Sequence, residues 1–115
     1  MDNLLKTFKS LSDKNRMRIV KMLQVRPLCV CEMTVVLGLS MSTVSAHLSL
    51  LKSAGLIESF KDGRWIYYNL VKNPTSQEIA SLLPLLSYWL NDDEIVKNDF
   101  ERLKTVDRET SMSCC

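Results

Sequence analysis

Two cysteines separated by one residue, Cys29 and Cys31, are the clearest candidates for chemistry in this sequence. They stand just before and just inside residues 30–37, a segment predicted to form a short helix. Because the N-terminal end of a helix lowers the pKa of a thiol, we expect at least one of the two to be reactive. Thiolates are soft ligands and select As(III), Sb(III), Cd(II), Pb(II), Zn(II) or Cu(I) over hard ions. The pair therefore predicts a site for a thiophilic ion.

The spacing of this pair also predicts how binding would act on the protein. Residues two apart on an α-helix point about 200° away from each other, since each residue turns by about 100°. Cys29 and Cys31 would then bind one ion only if the first turn of the helix unwinds. The ordinary alternative is that both are small hydrophobic residues of the core, which is common for free cysteine.

A second pair of cysteines, Cys114 and Cys115, stands at the other end of the sequence. The preceding residues have almost no apolar content, so we expect residues 105–115 to form a flexible tail. The r.m.s. reach of such a tail is about 15–20 Å, enough to bring a third thiolate to the site of its own chain or of a dimer partner. A terminal pair without a function is the alternative.

Length and composition indicate a single compact domain, which we place at residues 1–104. The sequence has 115 residues, of which 46% are hydrophobic and 24% charged, a balance typical of globular proteins. No apolar run approaches the roughly 20 residues of a membrane span, and the first residues lack the pattern of a secretory signal. We therefore expect a cytoplasmic protein with no membrane partner, in which cysteines serve as metal ligands or reactive thiols before disulfides.

Hydrophobic periodicity predicts a mainly α fold with one small β-hairpin, in the order α-α-α-α-β-β-α-α. The predicted helices lie at residues 3–11, from Ser12 or Asp13 to Arg26, at 30–37, from Ser40 to Ala54, at 76–90 with Pro84 inside, and from Asn91 or Asp92 to about Lys104. Two runs rich in aromatic and branched residues, 56–61 and 64–70, flank Asp62-Gly63. This dipeptide favours a hairpin turn in which both central residues have positive φ.

The same periodicity predicts which side chains are buried. In the second helix we expect Met17, Val20 and Leu23 to face the core and Lys14, Arg18 and Lys21 to face solvent. In the last helix the candidates for burial are Ile95, Phe100 and Leu103.

Two short helices joined at residues 38–40 and followed by a hairpin predict a winged helix–turn–helix. The second helix of such a unit presents small donors and acceptors to the DNA major groove, and the wing reaches phosphates. The residues expected to contact double-stranded DNA are Ser42, Thr43, Ser45 and His47 on the helix, Lys52 near its end, and Lys61 and Arg64 beside the hairpin tip. The net charge of +2 is uneven, with +5 over residues 1–26 and −3 over residues 71–115. By charge alone, a solvated face explains this better than a nucleic-acid patch does.

Three segments of the sequence resemble the ArsR/SmtB family of bacterial metal-sensing repressors. They are LCVCEMTVVL at 28–37, GLSMSTVSAHLSLLKSAGLI at 38–57 and GRWIYYNL at 63–70, and the likeness extends from the first helix to about Leu103. The resemblance implies a homodimeric repressor that releases its operator DNA when it binds an inducer, and it places His47, the only histidine, on the DNA-facing side. Arsenic repressors of the enterobacterial type carry a third cysteine where this sequence has Thr34.

The favoured interpretation is a metalloid-responsive repressor that is not an enzyme, with As(III) or Sb(III) as inducer and no catalytic cofactor. A Cd(II)/Pb(II) sensor of the same family shares the cysteine pair but usually adds N-terminal cysteines, and residues 1–28 contain none. A thiol–disulfide redox switch is the alternative from another class. A thiol enzyme is disfavoured because its nucleophile would need a nearby base.

Apolar residues on the first and fifth helices predict a homodimer. They are more numerous than a small core needs, and an exposed patch of this size is unusual on a monomer. The residues expected at this interface are Leu4, Leu5 and Phe8, with Leu82, Leu86 and Trp89. No other protein partner is implied.

Overall fold

The computed structural model describes residues 1–108. Within them the elements are α1 (Asp2–Leu11), α2 (Lys14–Val25), β1 (Leu28–Cys29), α3 (Val30–Leu37), α4 (Met41–Ser53), β2 (Ile57–Asp62), β3 (Trp65–Leu70), α5 (Gln77–Leu86) and α6 (Glu94–Leu103). The predicted fold class is confirmed, since the described chain is mainly helical with a small antiparallel hairpin. The cysteines at 114 and 115 lie outside the described residues.

Local capping signals explain where α2 and α4 begin and where α3 ends. The Asp13 carboxylate caps α2 by accepting hydrogen bonds from the backbone N–H groups of Asn15 and Arg16. The Ser40 hydroxyl caps α4 by accepting from Thr43 N–H. Gly38 ends α3 in the left-handed region, at φ 68°, which glycine adopts without steric cost.

The wing is a three-stranded antiparallel sheet in the order β1-β3-β2. Strand β1 was not predicted, because two residues are too few to show a periodicity. It pairs Cys29 with Tyr67 of β3. The hairpin turn lies one residue later than predicted: Asp62 pairs with Trp65, and of the turn residues only Gly63 has a positive φ, 63°. A glycine at the first central position is typical of a type II′ turn.

One residue predicted to face solvent, Lys21, is buried in the core with 1% of its surface exposed. Its ammonium donates hydrogen bonds to the carbonyl oxygen of Leu86 at 2.7 Å and to Asn91 Oδ1 at 2.9 Å. Burial lowers the pKa of Lys21. The prediction was wrong because these acceptors come from the chain at and after the end of α5, some 65 residues away.

The second half of the chain departs from the predicted helix bounds. Helix α5 ends at Leu86 instead of residue 90, two residues after Pro84, and Leu90 lies in the left-handed region at φ 66°. Helix α6 is capped by Asp93, not by the two residues before it. Because proline lacks the backbone N–H that a helix needs, α5 is expected to end near Pro84.

The buried face of α6 also differs from the prediction. Leu103 is buried as expected, whereas Ile95 and Phe100 are half-buried. A carboxylate on this helix is buried instead. Asp99 is 1% exposed and accepts two hydrogen bonds of 2.8 Å from the guanidinium of Arg18. Arg18 was predicted to face solvent and instead links α2 to α6.

The chain after α6 continues to pack against the domain. Val106, which falls in the predicted tail, is only 9% exposed and belongs to the hydrophobic core. Among the residues described, no single helix is long and apolar enough to cross a membrane, and α3 with α4 meets the length and composition criteria only as a pair bent by 112°.

Candidate thiol site and nucleic-acid interface

Cys29 occupies the point where the wing sheet meets the helix–turn–helix. It is the last residue of β1 and the N-cap of α3, with extended backbone at φ −89° and ψ 166°. Its side chain is 1% exposed, and that of Cys31 in the first turn of α3 is fully buried. Both cysteines therefore lie inside the protein at one helix start, and Cys29 carries a free thiol.

A buried carboxylate, that of Glu32, closes this helix start. Glu32 Oε1 accepts a hydrogen bond of 3.0 Å from the backbone N–H of Cys29, and the Cys29 side chain accepts from the backbone N–H of Glu32. This reciprocal pair is a capping box with cysteine in place of the usual serine or threonine. Glu32 Oε2 also lies 2.9 Å from Arg26 Nη1 in an ion pair.

The pKa of the Cys29 thiol is raised, chiefly by burial and further by the carboxylate of Glu32. The backbone N–H groups of Glu32 and Cys31 act in the opposite direction, as expected at a helix N-terminus. The prediction of a lowered pKa is therefore wrong for Cys29, because burial outweighs the helix dipole. At neutral pH Cys29 is a protonated, shielded thiol.

Residues 1–108 contain no group of three or more cysteine, histidine or carboxylate side chains placed to hold one metal ion. Thr34, which stands where the enterobacterial repressors have a third cysteine, donates its hydroxyl to the carbonyl oxygen of Cys31 at 2.7 Å. Since Cys114 and Cys115 lie outside the described residues, their part in a ligand set stays a prediction.

Helices α3 and α4 meet at 112°, within the range of helix–turn–helix motifs. Ser42, Thr43 and Ser45 near the start of α4 are exposed, as predicted. The Ser40 hydroxyl lies 2.9 Å from Thr43 Oγ1 and 3.2 Å from Ser42 Oγ, so a cluster of hydroxyl groups covers the helix N-terminus. Such a surface offers both donors and acceptors to a DNA groove.

His47 is half-buried and braces α4 against the N-terminal helices. Its Nδ1 lies 3.2 Å from Arg16 Nη1. Because a guanidinium only donates, Nδ1 is the acceptor in this contact. Arg16 Nε also donates to the carbonyl oxygen of Ser10, so His47 contributes to positioning the helix.

The remaining predicted DNA contacts lie on or beside the wing, and all are exposed. Lys52 at the end of α4 donates to the Ser59 hydroxyl of β2 at 2.8 Å, which links the helix to the wing. Lys61 and Arg64 flank the turn, and the Arg64 guanidinium lies 4.9 Å from the centre of the Trp65 ring.

Sequence reasoning missed two arginines near the site, Arg26 and Arg108. Arg108 Nη1 donates to Asp62 Oδ2 at 3.1 Å and to the hydroxyl of Tyr67 at 3.2 Å. No local signal could have identified the contacts of Arg108, since Asp62 and Tyr67 are 46 and 41 residues away in the sequence. The role of Glu32 could have been predicted, because a glutamate three residues after a helix cap is typical of a capping box.

About half of the large exposed apolar side chains lie where a dimer interface was predicted, on or beside α1 and around the end of α5. They include Leu5, 57% exposed, and Phe8, 52% exposed, on α1, and Leu85, Tyr88 and Trp89 at the end of α5. Leu4 and Leu82 are half-buried. Leu86 was predicted at this surface but is 3% exposed and belongs to the core, because it lies on the same buried face of α5 as Ile79 and Leu83.

The sequence matches a known family and several known proteins. Residues 13–59 match the model of "Bacterial regulatory protein, arsR family". The chain is 35% identical over 106 residues to the arsenic resistance transcriptional regulator ArsR2 of Pseudomonas putida, covering 87% of this chain and 85% of that protein. It is 45% identical over 67 residues to the cadmium resistance transcriptional regulatory protein CadC of Listeria innocua, but that match covers 57% of this chain and only 56% of the cadmium regulator.

The fold is similar to that of solved DNA-binding regulators. One is the homodimeric winged helix-turn-helix DNA-binding domain of a possible ArsR-family transcriptional regulator from Mycobacterium bovis. The TM-score is 0.64 with 26% identity, covering 79% of this chain and 81% of that domain. Fold, helix–turn–helix geometry and relatives agree, and the chain belongs to the ArsR family of bacterial regulatory proteins, a family of DNA-binding transcription regulators.

Proposed function

We propose that this protein is a transcriptional repressor that binds operator DNA as a homodimer and releases it when As(III) or Sb(III) binds the thiol site. The observation that carries the proposal is the position of Cys29, which belongs at once to the wing sheet and to the first helix of the helix–turn–helix. A change in the backbone at Cys29 would therefore move both the wing and the helix–turn–helix, the two elements proposed to contact DNA.

The DNA-binding part rests on the exposed hydroxyl groups of α4 together with the cations of the wing. Ser42, Thr43 and Ser45 can meet base edges or phosphates, and Lys61 and Arg64 can meet the flanking backbone. His47 acts here by positioning α4, since its Nδ1 is already engaged by Arg16.

The homodimer rests on the exposed apolar side chains of α1 and of the α5 end. Twofold pairing would cover Phe8 and Trp89 and would present two recognition helices about one DNA turn apart, roughly 34–36 Å. We expect W89D to dissociate the dimer and to weaken operator binding, as measured by sedimentation at micromolar concentration. D92A, on the same turn and exposed, is the control. A wild-type protein that sediments as a monomer while binding the operator with full affinity would contradict the dimer.

The thiophilic inducer rests on the donor set. Cys29 and Cys31 supply sulfur, and Cys114 and Cys115 are the remaining cysteines of the sequence. Three of these sulfurs would suit a trivalent metalloid, and all four could complete a tetrahedral site for a divalent metal. Relatives of similar identity are named for arsenic and for cadmium, so Cd(II) and Pb(II) are the competing inducers.

Binding would open the buried helix start. When arsenous acid condenses with a thiol, a sulfur–arsenic bond forms, an arsenic–oxygen bond breaks, and the thiol proton leaves with the hydroxide as water. Cys29, protonated and shielded by burial, must move away from the capping box for this to happen. Loss of the capping box frees the first turn of α3, which supports α4.

The decisive experiment measures operator affinity of reduced protein by fluorescence anisotropy, on DNA from the promoter of its own gene, with a panel of ions. We expect As(III) and Sb(III) to release the DNA at lower concentrations than Cd(II) or Pb(II) do. C114S/C115S should bind As(III) more weakly and lose release only in part. Release by diamide without any ion would favour the redox switch, and release by As(III) from C29S/C31S at the wild-type concentration would place the site elsewhere.

A further inference from the structure

A guanidinium joins the thiol site to the chain that follows α6. Arg26 Nη1 forms the ion pair with Glu32, the carboxylate that caps Cys29. Arg26 Nη2 donates to the carbonyl oxygens of Leu103 at 3.3 Å and Val106 at 3.0 Å. The start of α3 and the segment at residues 103–108, which we call the C-terminal segment, are therefore held by one side chain.

The same segment reaches the tip of the wing through Arg108. Besides its hydrogen bonds to Asp62 and the Tyr67 hydroxyl, its guanidinium lies 5.4 Å from the ring centre of Trp65 and 5.8 Å from that of Tyr67. Asp62 stands between Lys61 and the turn, so Arg108 neutralises an acidic group beside the proposed phosphate contacts. Exposed ion pairs contribute little to stability. The Arg108–Asp62 pair therefore matters more for the charge of the proposed DNA-binding surface than for the stability of the fold.

The two ends of this connection lie on the same face of the wing sheet. Cys29 pairs with Tyr67 in the register, and directly paired residues of antiparallel strands project from the same face. A cleft of about 480 Å³ opens on this side, lined by Arg26, Glu32, Tyr67, Arg108 and two aspartates. The C-terminal segment thus lies over the sheet face that carries the thiol.

We propose that Arg26 and Arg108 are positioning residues that transmit occupancy of the thiol site to the wing through the C-terminal segment. This inference rests on the proposed function. When Cys29 leaves its cap, Glu32 loses the N–H that it accepts and the Arg26–Glu32 pair shifts. Arg26 then no longer fixes Val106, and Arg108 no longer holds Asp62 and Tyr67 in place at the wing tip.

The test compares release factors, defined as the operator Kd with As(III) divided by the operator Kd without it. We expect R108A to lower this factor at least threefold while As(III) binding to the free protein, followed by sulfur–arsenic absorbance, stays unchanged. K104A removes a cation from the same segment that pairs only with its neighbour Glu101 among the ion pairs described, and it should keep the wild-type factor. R108K should restore part of the loss.

A double-mutant cycle distinguishes a connected route from two separate effects. If Arg26 and Arg108 act in series, R26A/R108A lowers the release factor no further than the stronger single variant does. Factors that multiply would overturn the inference, as would a wild-type factor in R108A. If R26A fails to fold, R108A with its controls still decides, because Arg108 lies on the surface.

Tryptophan emission gives a readout that a merely structural role would not move. The sequence has two tryptophans, so W89F leaves Trp65 as the reporter beneath Arg108. As(III) should change the Trp65 emission of the DNA-free protein, and R108A should abolish that change; an equal change in both proteins would contradict the route. If the wild type binds As(III) but keeps its operator, the proposed function fails; if the wild type releases its operator and R108A does so equally, only this inference fails.

Discussion

The thiol site and the DNA-facing surface are opposite in construction. Cys29 and Cys31 are at most 1% exposed and are enclosed by strand pairing and a capping box, whereas Ser42, Thr43 and Ser45 stand open to solvent. The second region is open to a partner as it stands, but an ion cannot reach the first unless the structure opens. The difference teaches why the proposed function couples the two regions: access to the two sulfur atoms and disturbance of the fold would be the same event.

The largest effect is expected from replacing Cys29 and Cys31, which should abolish the coupling between ion binding and DNA binding. C29S/C31S should keep the operator affinity of the ion-free wild type and lose its release by As(III). Allosteric release factors of about 5–150 correspond to roughly 1–3 kcal/mol of coupling, and all of it should vanish. Anisotropy titrations give both quantities, and by reciprocity operator DNA must weaken As(III) binding to the wild type by the same factor.

A smaller effect is expected when the capping box around Cys29 is removed while the cysteines remain. E32A removes the acceptor for Cys29 N–H and the partner of Arg26, and should lower the free energy of unfolding by about 1.5–3 kcal/mol. Urea denaturation measures it. The matched control is E101A, whose pair with Lys104 is exposed and should contribute less than about 1 kcal/mol. Equal losses in both variants would show that the buried cap has no special weight.

On the open surface, single changes should act on DNA alone. K61A and R64A should each make the salt dependence of operator affinity shallower by about one unit, because each removes one phosphate contact. Neither should change the release factor. Titrations at several salt concentrations check the slope, and an unchanged slope in both variants would remove the wing from the interface.

The smallest effect concerns the ionisation of Cys29. Because burial and Glu32 raise the pKa of this thiol, alkylation of Cys29 by iodoacetamide in C31S/C114S/C115S should accelerate with pH beyond the ordinary range of a thiol. E32Q removes the negative charge, so the profile should move to lower pH but stay above that of a free thiol, since burial is the larger cause. A profile that levels off below about pH 8 would contradict the raised pKa.

Local sequence signals predicted the DNA-facing region more fully than the thiol site. The caps at Asp13 and Ser40, the end at Gly38 and the exposure of the hydroxyl groups on α4 depend on neighbouring residues, and all follow from the sequence. At the thiol site the sequence identified the residues but not their environment. The raised pKa of Cys29 depends on burial, which no short segment specifies.

What the sequence by itself determined is the order of the helices and of the hairpin, the helix–turn–helix with its wing and the residue types that can bind DNA or a soft ion. Each follows from periodicity, capping or side-chain chemistry within a few residues. Only the tertiary structure decided that Lys21 is buried against the end of α5 and that Asp99 pairs with Arg18. It alone placed Arg26 and Arg108 between the thiol site, the C-terminal segment and the wing. Charged side chains are buried or placed by partners distant in sequence, and these partners meet only when the chain has folded.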